Sequence, residues 1–166
     1  SDSDVTANAP GLSKSGQAGK YMLDVTTLKS RELKINVTGK LPNNSGVVTD
    51  NKVFRVKDIP APQGSIRGET GTIKGPKSSL EASTIGAVLE DFDFELGLSV
   101  SGFNIKIPGQ PTIVVSGNKL DARSKSALAR AGKGEQITIS EIKANLVGGS
   151  GYKLKKTSPV IYEITN

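Results

Sequence analysis

Nineteen glycines and eight prolines interrupt a chain of 166 residues, and this punctuation limits the possible folds more than any other feature. Proline removes a backbone donor, and an interior glycine costs a helix about 1 kcal/mol, so long helices are disfavoured throughout. Short strands joined by turns are what such a chain can build. The hydrophobic share of 35% supports a modest core. Aromatics reach only 4% and Trp is absent, so β-branched residues and Leu must do most of the packing. The expected fold class is mostly β, with one or two short helices.

The same inventory excludes several kinds of chemistry. With no His and no Cys, the chain has no histidine base, thiolate zinc site or disulfide. Lack of Cys does not fix the compartment. The net charge is +6, yet acidic and basic residues are interleaved and the longest basic run is Lys155-Lys156. No aromatic residue is interleaved with that run, so nucleic-acid binding is not expected. No apolar run approaches the ~20 residues of a membrane span. The chain opens Ser1-Asp2-Ser3 with neither Met nor a signal peptide, and is expected to be cut from something longer.

Along the chain, the first ten residues are polar and expected to be irregular. Alternation predicts strands at Tyr21 to Val25 and at Leu33 to Val37, then a turn at Pro42-Asn43-Asn44-Ser45-Gly46 and a returning strand over 47–57. The stiff connector Ile59-Pro60-Ala61-Pro62 places a domain boundary at residue 60, giving domains 1–60 and 61–166. The first offers about four strands, too few for an immunoglobulin-like sandwich, so it reads as a partial one whose opening strands are missing.

The second domain begins with a strand near Ser65 to Gly68 and a glycine-rich loop. Ser78-Ser79-Leu80-Glu81 fits a capping box. Phe92, Phe94, Leu96, Leu98 and Val100 alternate with polar residues and predict the clearest strand, with Phe92, Phe94, Phe103, Ile105, Ile139 and Tyr162 in one core. The apolar phase shifts by one residue at Gly102, which suggests a β-bulge, and again near Ser140. A strand is expected over 112–115. Asp121 can cap a helix running to about Ala131, with Leu120, Ala127, Leu128 and Ala131 inward and Arg123, Ser126 and Arg130 outward. Strands over 137–146, 152–154 and 160–164 surround the turn Gly148-Gly149-Ser150-Gly151. The second domain is thus read as β-sandwich-like.

No motif carries catalysis. Gly71 to Ser78 has the wrong spacing for a phosphate loop, and Pro76 deletes a needed donor. Ser116-Gly117-Asn118-Lys119 matches S-x-x-K, but the helix and the companion motifs of a serine hydrolase are missing. Asp91, Asp93 and Glu95 could chelate calcium, but Leu96 stands where an EF-hand needs Gly, and the acidic face of a strand is the simpler reading. The acceptor patterns at Asn36 and Asn43 are too common to require glycans. No catalytic residue, metal site or cofactor is expected.

Several segments in order resemble the C-terminal part of the gliding-motility protein family GldM and its relative PorM. They are Phe54-Arg55-Val56-Lys57-Asp58-Ile59-Pro60, Glu90-Asp91-Phe92-Asp93-Phe94, Gly102-Phe103, Gly117-Asn118 and Ile139-Ser140-Glu141-Ile142-Lys143-Ala144. The similarity spans about residues 45 to 166, with Gly19-Lys20-Tyr21 an anchor before it. It implies a non-catalytic periplasmic part of the type IX secretion and gliding machinery, belonging to an elongated homodimer. The implied inner-membrane anchor, through which the family meets the motor protein GldL, is absent from this chain. At the far end the resemblance implies contact with the GldK and GldN ring at the outer membrane. The chain would then hold the end of the third periplasmic domain and all of the fourth.

The alternative function is a carbohydrate- or peptide-binding β-sandwich, for which only Tyr21, Tyr152 and Tyr162 could serve as platforms. For partner docking the candidate is the outward side of the second predicted helix, where Lys119, Arg123, Lys125, Arg130 and Lys133 cluster. The acidic side at Asp91, Asp93 and Glu95 is the next choice.

Overall fold

The computed structural model describes residues 4–149 and 151–166. Residues 1–3 of the expected irregular opening, and Ser150 of the expected turn, lie outside the described residues. The chain forms two compact units, Ser1–Asp58 and Ile59–Asn166, and is mostly β in both.

In the first unit β1 (Val5–Asn8), β2 (Leu12–Lys14), β3 (Tyr21–Leu23), β4 (Glu32–Lys40) and β5 (Val47–Arg55) follow in order. β4 and β5 form a long antiparallel hairpin running from Glu32↔Arg55 to Lys40↔Val47. Its turn holds Asn43 and Asn44 at φ of 59° and 55°, a left-handed conformation that asparagine tolerates. β1 pairs on the other side of β4, and β2 and β3 form a separate hairpin. β1 lies in the stretch expected to be irregular. Its alternation, Val5-Thr6-Ala7-Asn8, is only four residues long, and its partner is the edge that β4 offers. Leu33 is buried, whereas every residue of β5 is exposed. The unit is a partial sandwich with little core.

In the second unit the chain runs β6 (Gln63–Ile66), β7 (Glu69–Thr70), β8 (Thr72–Gly75), α1 (Lys77–Ala82), β9 (Ile85–Val88), β10 (Leu98–Val100), β11 (Gly102–Lys106) and β12 (Ile113–Ser116). It continues through α2 (Ala122–Ala129), β13 (Gln136–Ser140), β14 (Ala144–Leu146) and β15 (Val160–Ile164). The main sheet has the order β12-β11-β13-β15-β8. Its pairs are antiparallel except β15 with β8, which is parallel. A smaller sheet has the order β7-β6-β9, and β10 pairs with β14 as a separate ribbon. β6 and β7 are joined by Arg67-Gly68, both at positive φ, which gives a two-residue loop the twist its strands need.

Inward residues meet in rows across the main sheet. Ile113, Ile105, Ile139 and Val160 are successive register partners, as are Ile137, Tyr162 and Ile73. Ile66 and Ile85 of the smaller sheet, Leu80 of α1 and Leu128 of α2 complete the same core. Each such side chain contributes about 1.5–3 kcal/mol on burial. Tyr162 is fully buried and donates its hydroxyl to the Pro76 carbonyl at 3.0 Å. A Cβ on Gly75 would come within 2.0 Å of that hydroxyl, so the close approach requires glycine.

Phe103, Ile105, Ile139 and Tyr162 are buried as expected, but Phe94 is 60% exposed and Phe92 is half-buried. Residues 91–97 are not a strand at all. Asp91 turns left-handed at φ 52°, and strand pairing begins only at Leu98, where β14 supplies a partner. The two rings stack edge-to-face at 5.4 Å instead. Residues 152–154 alternate in burial yet form no strand, and the expected glycine-rich loop contains β8, a strand of the main sheet. β9 was not anticipated. Helix α1 begins at Lys77 behind Pro76, without a side-chain cap, so the Ser78 capping box does not form. Helix α2 ends at Ala129, short of Ala131.

The two phase slips face each other. The strand pairs Leu98↔Leu146 and Val100↔Ala144 share one register with Asn104↔Ser140 and Lys106↔Thr138, so a slip in one chain segment is matched in the other. Between them Ser101 N donates to the Lys143 carbonyl at 3.0 Å, and Lys143 N donates to the Gly102 carbonyl at 2.8 Å. The expected bulge at Gly102 is therefore a two-sided interruption, at which the ribbon β10–β14 leaves the main sheet.

Candidate functional site

The α2 face is built around one cap. Asp121 Oδ1 accepts from the Ser124 amide at 2.8 Å and from its hydroxyl at 2.6 Å, satisfying an orphan donor of the first turn. Those two bonds hold the Asp121 carboxyl below the usual carboxylate range. Ser124, Ala127 and Leu128 are buried, and Leu120 and Ala131 anchor the helix on either side.

Of the five basic candidates, the two arginines are engaged. Arg123 Nη2 donates to the Val114 carbonyl at 3.0 Å and reaches Asp121 Oδ2 at 3.3 Å, fastening α2 to β12. Arg130 Nη2 donates to Gln110 Oε1 at 2.7 Å, and Gln110 Nε2 donates to the Ala127 carbonyl at 2.9 Å. Lys106 Nζ also donates to the Gln110 carbonyl, and Lys77 Nζ reaches the Ala129 carbonyl at 3.2 Å. That lysine neutralises a free acceptor at the negative end of the helix. Lys119, Lys125 and Lys133 are exposed and, among the described residues, take part in no ion pair. The face thus has three free ammonium groups and two guanidinium staples. Gln110 and Lys77 belong to its construction, and no local pattern marked them, because their partners lie 17 and 52 residues away.

The acidic alternative is an irregular loop. Glu90 is fixed by Gln63 Nε2 at 2.5 Å and Thr70 Oγ1 at 2.7 Å. Beyond it Asp91, Asp93 and Glu95 are exposed, with Phe94 and Leu96 exposed between and after them. Among the described residues no three carboxylates gather as a metal cage would need. Ser116 and Lys119 lie at the end of β12 and in the connection to α2, not at the start of a helix as an S-x-x-K site would need. A third feature escaped sequence reasoning, a cleft of about 400 Å³ between residues 141–145 and 152–157, bordered by Lys143, Lys153, Lys155 and Lys156. Among the described residues no helix is long and apolar enough to cross a membrane.

No curated protein matches the chain. The profile of the GldM C-terminal domain matches residues 60–165, nearly the whole second unit. In that family the domain is periplasmic. With a matched stretch covering well over half its length, the chain belongs to the GldM C-terminal domain family, a structural component of gliding motility and type IX secretion.

Proposed function

We propose that the chain is a force-transmitting periplasmic module, linking an inner-membrane motor containing GldL to the outer-membrane ring of GldK and GldN, and working as a homodimer. The observation that carries the reading is the family match over the second unit. A link of this kind needs a body that does not deform and a face that docks. The five-stranded sheet with its buried isoleucine rows suits the first need. Pro60 and Pro62 restrict backbone rotation where the two units meet in sequence. The α2 face suits the second, with Lys119, Lys125 and Lys133 as contact groups and Arg123 and Arg130 holding the helix that presents them. The test follows from that division. Reversing Lys119, Lys125 and Lys133 to Glu together should leave melting unchanged and cut capture of purified GldK and GldN about tenfold, with added salt weakening what remains. A folded triple variant that captures the ring as the parent chain does would remove α2 from the interface. A parent chain that captures neither protein would remove the linking role.

A further inference from the structure

We propose that the cleft beside β14 is a second docking site, which takes an extended acidic segment of a partner protein as an added strand. Among the described residues β14 pairs with β10 alone. The bonds from Val147 N to the Gly97 carbonyl (2.8 Å) and from Ser101 N to the Lys143 carbonyl (3.0 Å) show which residues turn toward β10. They are the odd-numbered ones, so antiparallel alternation turns the backbone groups of Ala144 and Leu146 the other way. Gly149 N takes the Leu146 carbonyl at 3.4 Å. The Ala144 amide and carbonyl and the Leu146 amide remain as a short open edge, of which Ala144 lines the cleft, and such an edge is a template for another strand.

The opposite wall is unusual. Residues 152–155 alternate between half-buried and exposed, as strand residues do. Among the described residues, however, no backbone hydrogen bond ties 152–156 to β14 or to any other strand. A segment that alternates in burial and an open edge therefore flank a cleft of about 400 Å³ without being paired to each other. Its charge selects the occupant. The cleft is bordered by Lys143, Lys153, Lys155 and Lys156 against one carboxylate, Glu141, which Lys156 holds at 2.7 Å. Three ammonium groups are left for a ligand. A strand with carboxylates at alternate positions would meet lysines on both walls while its backbone pairs with Ala144 and Leu146. The site is separate from the α2 face and does not depend on it.

The probe is a fluorescein-labelled octapeptide of alternating Glu and Val, titrated into the full chain. Two controls accompany it, one with Lys for Glu and one N-methylated at every residue, which keeps the charge but has no amide donor on either edge. The acidic peptide should bind, and both controls should bind at least about tenfold more weakly. Lys153→Glu with Lys155→Glu should lower affinity about tenfold or more, and higher salt should lower it further. Ala144→Pro, which removes the outward donor at an edge position that tolerates proline, should do likewise. The triple lysine reversal on α2 should change nothing. Three results would overturn the proposal. The first is no binding at millimolar peptide, and the second is equal binding of the N-methylated peptide. The third is self-association of the chain that disappears in the Lys153 and Lys155 variant, which would mean that a second copy fills the cleft.

Discussion

A single carboxylate sets the position of α2. Asp121 accepts two bonds from Ser124 and one from Arg123, so its loss unties both the first turn and a staple to β12. Asp121→Ala should destabilise the second unit by about 0.5–2 kcal/mol in urea unfolding, the usual range for a lost cap. The pH dependence follows from the depressed acidity. The folded-state value lies below the unfolded value of about 3.9, so the contribution is fully present above that pH. It fades as pH falls through the folded value, and parent and variant should converge in acid. Phe94 and Tyr162 make a second pair of residue-scale tests. Alternation assigned both to the core, but Phe94 is 60% exposed and Tyr162 fully buried. Phe94→Ala should therefore shift stability by no more than about 0.5 kcal/mol, not the 3–5 kcal/mol of a core phenylalanine. Tyr162→Phe should cost about 1 kcal/mol, because it leaves the Pro76 carbonyl without its donor. A large loss from Phe94→Ala would mean that the loop is packed in solution.

At the scale of elements, alternation showed which residues can be strand but not where a partner lies. Leu33 to Val37 and Ile137 to Ile139 alternate and also have neighbours, so they are strands as expected. Phe92 to Leu96 alternate equally well but form no strand; β14, which pairs with the chain from Leu98 onward, ends at Leu146, and Gly148 has φ of 69°. β1 and β9 show the converse. Each is only four residues long, yet each is recruited by an edge, β1 by β4 and β9 by β6. The facing slips at Gly102 and Ser140 were each visible in the sequence. That they compensate one another was not, because register belongs to the pair. The same limit governs the basic cluster. Sequence gathered five cations around one helix, but which of them hold the helix depends on Val114 and Gln110, residues outside it. The candidate site was thus legible as a surface and illegible as a division of labour.

For the whole molecule, the distribution of buried side chains decides which part folds by itself. The continuous core consists of residues between Ile66 and Ile164, all in the second unit. Among the described residues of the first unit, Leu33 is the one buried hydrophobic side chain. The first unit exposes Val47, Val48, Val53 and Phe54 along β5, where a sandwich would have covered one face. Chains of about 60 residues are marginal even with a good core, because so little surface is removed from water. Residues 59–166 expressed alone should therefore unfold in one cooperative transition, within a few degrees of the main transition of the full chain. Residues 1–58 alone should show no cooperative melting, and their amides should exchange with solvent almost without protection. In the intact chain the same amides should exchange well before those of β11, β13 and β15. If residues 59–166 fail to fold without the first unit, the core as described is insufficient. If residues 1–58 melt cooperatively by themselves, the hairpin of β4 and β5 is stabilised by something other than burial.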